Sequence, residues 1–143
     1  MYRRIIVPLD GSDVSGQVIP HVEALAKSFG ASVTLLWVTS PVANVAGVPV
    51  ASKERWNAED QAEAASYLQR IQAGMRANGV EPTVETANGV PSQVIVQRAE
   101  AVGADLIAMM THGRSGIRRM ALGSVAEDVV RRAECPVLLV RTH

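Results

Sequence analysis

The sequence predicts an α/β protein built on a parallel sheet, and two observations carry that prediction. Short, nearly continuous apolar runs at Arg4–Leu9, Val33–Val38, Leu106–Met110 and Pro136–Val140 read as buried strands. Between them lie longer segments in which apolar residues recur every three or four positions, the period of a helix packed on a core. At 143 residues the chain is of one-domain size and long enough to bury a substantial core. Apolar residues make up 48% and aromatics only 3%, so that core has to be built from Val, Ile, Leu, Ala and Met.

Taken in order, Arg4–Leu9 is the first strand. Val14, Val18, Val22, Leu25 and Phe29 follow at helical spacing, with Gly30 as a stop. Val33–Val38 is the second strand. Residues 40–52 include Pro41, Gly47 and Pro49, enough breakers to predict a loop that is long for a compact domain. A second helix is expected from Lys53 to Asn78, with Ala58, Ala62, Ala65, Leu68, Ile71 and Met75 on its inner face and Asn78-Gly79 as its stop. Val80–Ala87 alternates polar and apolar residues around Pro82, the mark of an edge strand. A third helix starts near Ser92 and carries Val94, Ile95, Ala99 and Val102. Leu106–Met110 is the next strand, 124–133 the fourth helix, and Pro136–Val140 the last strand. No repeat, charge block or low-complexity tract marks a boundary, so one domain over residues 1–143 is expected.

Composition narrows the functional classes. Fourteen basic and fourteen acidic residues cancel, which argues against a general nucleic-acid surface. A single cysteine, Cys135, rules out an internal disulfide and fits a reducing compartment; set just before Pro136, it reads as a buried inert thiol. The apolar run at the N-terminus is too short for a signal peptide or a membrane span, so no membrane partner and a cytoplasmic location are expected.

The residues richest in chemistry are Thr111-His112-Gly113-Arg114-Ser115-Gly116 and the Gly123-Ser124 that follow. A glycine-rich loop that feeds a helix gathers free backbone N–H groups at the positive end of a helix dipole, a setting suited to phosphate. Ser124-Val125-Ala126-Glu127 has the spacing of a capping box. Arg114, Arg118 and Arg119 could neutralise a polyphosphate, although loop arginines are commonly just solvated. After the first strand, Asp10 could accept hydrogen bonds from a ribose or hold a magnesium-bound phosphate, or it could cap the next helix; for Ser12 capping is the better reading. His112 is placed for general-base work but has no nucleophile beside it in sequence, so a loop-orienting role is favoured. His21 and His143 show no ligand spacing. The chain lacks the Gly-x4-Gly-Lys-[Ser/Thr] sequence of a P-loop.

Ile5-Ile6-Val7-Pro8-Leu9-Asp10-Gly11-Ser12, Gly103-Ala104-Asp105-Leu106-Ile107, Thr111-His112-Gly113 through Gly123-Ser124-Val125-Ala126-Glu127, and Cys135-Pro136-Val137-Leu138-Leu139-Val140 give the chain a further meaning together. In that order and spacing they resemble the universal stress protein family, UspA type, over essentially the whole length. The resemblance implies a single-domain open five-stranded parallel sheet in the order 3-2-1-4-5, with helices on both faces, in the adenine nucleotide α-hydrolase-like group. It makes strands 1 and 4 neighbours and leaves strand 5 at an edge. Family members commonly pair that edge across a homodimer, here through Pro136, Val137, Leu138, Leu139 and Val140. This apolar edge carries no gatekeeping charge.

The ATP-binding branch of the family carries Gly-x2-Gly-x9-Gly-[Ser/Thr]. Gly113, nine residues and Gly123-Ser124 match its second half, while the first glycine falls on Met110, a departure that could crowd a close backbone approach. Gly116 lies inside the nine-residue spacer. By resemblance, Pro8, Asp10 and Val38 border adenine and ribose, and Met109, Met110 and Gly113 lie along the ribose–phosphate path. Gly123, Ser124 and Val125 hold phosphates, with Arg114 beside them. The implied ligand is ATP with Mg²⁺, no protein metal site being expected beyond Asp10 acting through a Mg-phosphate. The expected function is nucleotide-binding stress regulation without a dedicated reaction. Its alternatives are a dimeric protein-interaction module of the non-ATP-binding branch, working through a protein partner the sequence does not name, or a very slow ATPase.

Overall fold

A computed structural model describes residues 1–39, 50–112 and 122–141, with backbone alone for 50–61. The elements are β1 (Arg4–Leu9), α1 (Asp13–Gly16), α2 (Ile19–Phe29), β2 (Ser32–Thr39), α3 (Val50–Ala77), β3 (Thr83–Asn88), α4 (Pro91–Val102), β4 (Leu106–Met110), α5 (Ser124–Arg132) and β5 (Val137–Val140). All five strands are parallel and lie in the order β3-β2-β1-β4-β5.

The period of two along the strands sorts their side chains onto two faces. Ile5, Val7, Leu9, Val33, Leu35, Trp37, Leu106, Ala108 and Met110 join one core cluster with Val18, Val22 and Ala26 of the α2 region and Tyr67, Leu68 and Met75 of α3. Ile6, Leu36, Ile107 and Met109 join the other, with Ile95 and Ala99 of α4 and Ala126 and Val129 of α5. Helices therefore cover both faces, and β4, LIAMM, is wholly apolar and buried because neither of its sides meets water.

The sheet is fastened at one end and open at the other. Where β1 begins, the Asp105 carboxylate accepts the backbone N–H groups of Arg3 at 2.8 Å and Arg4 at 3.0 Å, and the Asp105 N–H donates to the Arg4 carbonyl at 2.9 Å. The β1–β4 ladder pairs Ile5 with Leu106 and Ile6 with Ile107, whereas both strands run on to Leu9 and Met110. Pro8, inside a central strand, has no N–H with which to prolong it. A crevice opens between the carboxyl ends of β1 and β4, at the point where the winding of the sheet reverses.

Several expected boundaries move, each for a local reason. The helical pattern from Val14 to Phe29 is two helices, because Pro20 has no N–H and clashes with a carbonyl one turn earlier; it sits in the first turn of α2. Gly30 ends α2 in the left-handed conformation, as its position required. The expected loop 40–52 is too long at its far end: α3 is already helical at Val50, since its breakers all precede that residue. Residues 40–49 lie outside the described residues. The buried face of α3 is Ala64, Tyr67, Leu68 and Met75 with Ile71 partly buried, whereas Ala62 and Ala65 are exposed. Alanines on both sides of the helix blurred the stripe. β3 starts at Thr83 rather than Val80, because Pro82 cannot donate to a ladder; Val80 is buried in the core just after α3.

Candidate functional site

The crevice is a cavity of about 290 Å³, the lower end of the range for small-molecule sites. Pro8, Asp10, Val38, Met109, Met110, Gly123, Ser124 and Val125, eight residues singled out from the sequence, all line it. Gly113 and Arg114, together with Gly116, Arg118 and Arg119, lie outside the described residues. The wall also includes Ser15, Pro91, Ile95, Thr111 and His112. The sequence marks none of Ser15, Pro91 and Ile95 as a site residue, Ile95 only as part of the apolar stripe of a helix, because only the packing of α1 and α4 brings them to the strand ends.

Loop 10–12 is braced from within. Asp10 Oδ1 accepts the Ser12 N–H at 2.9 Å and also the Ser12 hydroxyl. Ser12 Oγ accepts the Ser15 N–H at 3.1 Å, which makes Ser12 the N-cap of α1. The Tyr67 hydroxyl, from α3, donates to the Ser12 carbonyl at 3.1 Å and lies 3.3 Å from Ser15 Oγ. Burial is the main cause that raises the Tyr67 phenol above its ordinary pKa, so it remains a neutral donor. Gly11 turns the loop with φ +85°, and a Cβ there would meet the Trp37 ring at 2.4 Å. Asp10 is thus held at the cavity wall while its neighbours satisfy the turn.

The opposite wall is the first turn of α5. Gly123 is its N-cap, with φ −67° and ψ 159°, and no side chain caps the helix. The expected capping box does not form. Ser124 sits one position too late, already inside the helix, and Glu127 turns outward to Arg131 at 3.0 Å. The N–H groups of that turn have no intrahelical partners, and they lie at the positive end of the helix dipole. The Gly123 N–H donates to the Thr111 carbonyl at 2.7 Å, and a Cβ on Gly123 would stand 3.0 Å from that same oxygen. The close approach of two backbones favours glycine here, since a side chain would push the Thr111 carbonyl away by a few tenths of an ångström. Next to it, Thr111 Oγ1 lies 3.1 Å from His112 Nδ1, a contact that orients the imidazole at the cavity wall.

Met110 is 4% exposed and belongs to the core cluster on the α2–α3 face, while Met109 belongs to the one on the α4–α5 face. Both border the cavity, but their side chains are core. Cys135 is half-buried, and desolvation raises its thiol pKa, against reactivity. Among the described residues no group of His, Cys, Asp and Glu is arranged to hold a metal ion, and no helix is long and apolar enough to cross a membrane.

An open parallel sheet in the order 3-2-1-4-5, with a crevice at its switch point and a glycine-opened helix on one wall, defines a class of doubly wound α/β proteins. Residues 1–141 match the universal stress protein family, and the chain belongs to that family. It is 39% identical over 142 residues to a universal stress protein of Methanocaldococcus jannaschii, covering 99% of this chain and 83% of the relative. A solved structure of another protein of that organism superposes with a TM-score of 0.89 at 28% identity, covering 100% of this chain and 98% of the other. Two further solved structures are a universal stress protein in complex with cAMP (TM-score 0.75, 26% identity, 99% and 98% coverage) and one from Archaeoglobus fulgidus in complex with dAMP (TM-score 0.72, 25% identity, 96% and 97% coverage).

Proposed function

We propose that the crevice binds an adenine nucleotide, ATP with Mg²⁺, and that the protein acts as a nucleotide-dependent regulator without a dedicated reaction. The observation that carries this reading is the pairing of two unlike walls across one cavity. Pro8 and Val38 supply apolar surface for a base, and the uncapped first turn of α5 supplies backbone N–H groups for phosphate. Asp10, also on the cavity wall, serves a ribose hydroxyl or a Mg-phosphate, and Met109, Met110 and Gly113 lie along the ribose–phosphate path. Gly123, Ser124 and Val125 hold phosphates, and Arg114 adds charge. Adenine bound with one phosphate, as in the relatives crystallised with cAMP and dAMP, is the part of ATP that this cavity has to recognise first. Isothermal calorimetry with Mg-ATP, and mass spectrometry of protein purified without added nucleotide, test the reading. No heat at millimolar Mg-ATP together with no co-purifying adenine compound would overturn it. ATP turnover that survives both His112→Ala and Asp10→Ala would point to contamination, not to a slow ATPase.

A second role rests on β5. It ends the sheet, and Val137, Leu138 and Leu139 are each only partly covered, which leaves an apolar strand with no gatekeeping charge. This edge pairs two copies of the chain, with Pro136 at the strand's entry and Val140 at its end. Light scattering is expected to give a dimer mass for the parent and a monomer mass for Val137→Lys. Equal masses would remove this edge as the interface.

A further inference from the structure

Beside the crevice, α4 and α5 are joined by a polar link whose residues do not line the cavity and that the nucleotide contacts do not use. Ser92, in the first turn of α4, is 5% exposed, and its hydroxyl donates to Asp128 Oδ2 on α5. The same oxygen accepts from Arg132 Nε at 2.9 Å, so the carboxylate charge is offset on its outer side. The other charged pair beside it, Glu127 with Arg131, lies further out at 3.0 Å. Pro91 and Ile95 bring α4 to the cavity, and Ser124 to Ala126 bring α5 to it.

Neither helix N-terminus is fixed by its own side-chain cap, since Val90 and Gly123 hold the cap positions without one. The two helices also share an apolar core cluster, to which α4 contributes Ile95 and Ala99 and α5 contributes Ala126 and Val129. Apolar packing sets a distance but leaves small rotations and slides inexpensive, whereas a charge-assisted hydrogen bond fixes direction. The rotation of α5 decides where its first-turn N–H groups aim, and an anion site loses strength steeply with that aim.

We propose that Ser92 and Asp128 are positioning residues that lock α5 against α4 and thereby aim the α5 N-terminus at the phosphates of the bound nucleotide. The proposal rests on the nucleotide reading of the crevice. It sets the pair apart from general scaffolding through a selective effect. Loss of the link weakens ligands that carry phosphate and spares adenosine, whose contacts lie on the Pro8 and Val38 wall.

Calorimetry with Mg-ATP and with adenosine, on the full chain and on Ser92→Ala, Asp128→Ala, the double variant and Ser92→Thr, tests it beside thermal denaturation of each. The expected result is about a tenfold loss of ATP affinity in either single variant, with adenosine affinity changed by less than roughly twofold. The double variant loses no more than the singles, and Ser92→Thr, which keeps the hydroxyl, restores ATP binding. Equal losses for ATP and adenosine would overturn the proposal, as would unchanged ATP affinity in folded variants. Should Asp128→Ala not fold, Ser92→Ala decides alone; if neither folds, the pair is structural and the proposal fails. A parent chain that binds neither ligand overturns the nucleotide reading itself, an outcome distinct from all of these.

Discussion

Replacing Met110 by glycine would restore the first glycine of the ATP-binding pattern, yet it would also remove a side chain that is 4% exposed in a core cluster. Because the thioether is core, the substitution is expected to cost about 2–5 kcal/mol of stability, as for other large-to-small changes in a core. ATP affinity is expected to stay within roughly threefold of the parent. Calorimetry and urea unfolding on the same preparation check both statements, and a large gain in ATP affinity would show that Met110 does crowd the ligand. Gly123 is the opposite case. A valine there pushes its Cβ against the Thr111 carbonyl, at 3.0 Å before any shift, and displaces the first turn of α5. More than about a tenfold loss of ATP affinity is expected, with the sheet intact by circular dichroism. At both positions the sequence pattern marked the residue, but only the direction of a side chain or the nearness of a carbonyl says what a change there does.

Among the elements, α3 shows how a helix remote in sequence steadies the crevice. Tyr67 packs edge-to-face on Trp37, with ring centroids 5.3 Å apart, and reaches the Ser12 carbonyl in the loop that carries Asp10. Tyr67→Phe keeps the ring and removes the donor. The Ser12 carbonyl still accepts the Ser15 hydroxyl at 3.0 Å, so the expected cost is only about 1 kcal/mol, read as a lower urea midpoint. A loss several times larger would mean that the hydroxyl organises the loop well beyond this one bond. Helix periodicity exposed α3 in the sequence, and Leu68, Ile71 and Met75 were legible on its inner face. Ala62 and Ala65 carry no signal of side, because alanine fits either face of a helix, and Tyr67 carries none either, because an aromatic with a hydroxyl suits the surface as well as the core.

For the whole molecule, acid is expected to loosen the closed end of the sheet. Burial alone would raise the Asp105 pKa, but the backbone N–H groups of Arg4 and Arg3 outweigh it and hold the carboxyl below its ordinary value. Asp128 is also lowered, first by the Ser92 hydroxyl. A carboxylate depressed in the folded state binds fewer protons there than in the unfolded chain. Its stabilisation is present above the unfolded value of about 4 and is lost as pH falls through the folded one. Urea midpoints of the parent and of Asp105→Asn should therefore differ at neutral pH and converge in acid. A gap that persists unchanged in acid would mean that the Asp105 charge contributes nothing to joining β1 and β4.

The sequence by itself determined the α/β class, the five strands and the family, because these depend on local period, on apolar runs and on short motifs read along one chain. It also marked eight residues that the fold gathers around a single cavity. What only the tertiary structure decided is how distant segments meet. The ladder between β1 and β4 ends early and opens the crevice, α4 brings Pro91 and Ile95 to it, and Ser92 reaches Asp128 across two helices. Tertiary structure also decided the cap of α5. Ser124 and Glu127 have capping-box spacing, but the approach of the Thr111 carbonyl fixes Gly123 at the cap instead. Periodicity is a property of neighbours in sequence, whereas direction and close approach are set by backbones that come together only when the chain has folded.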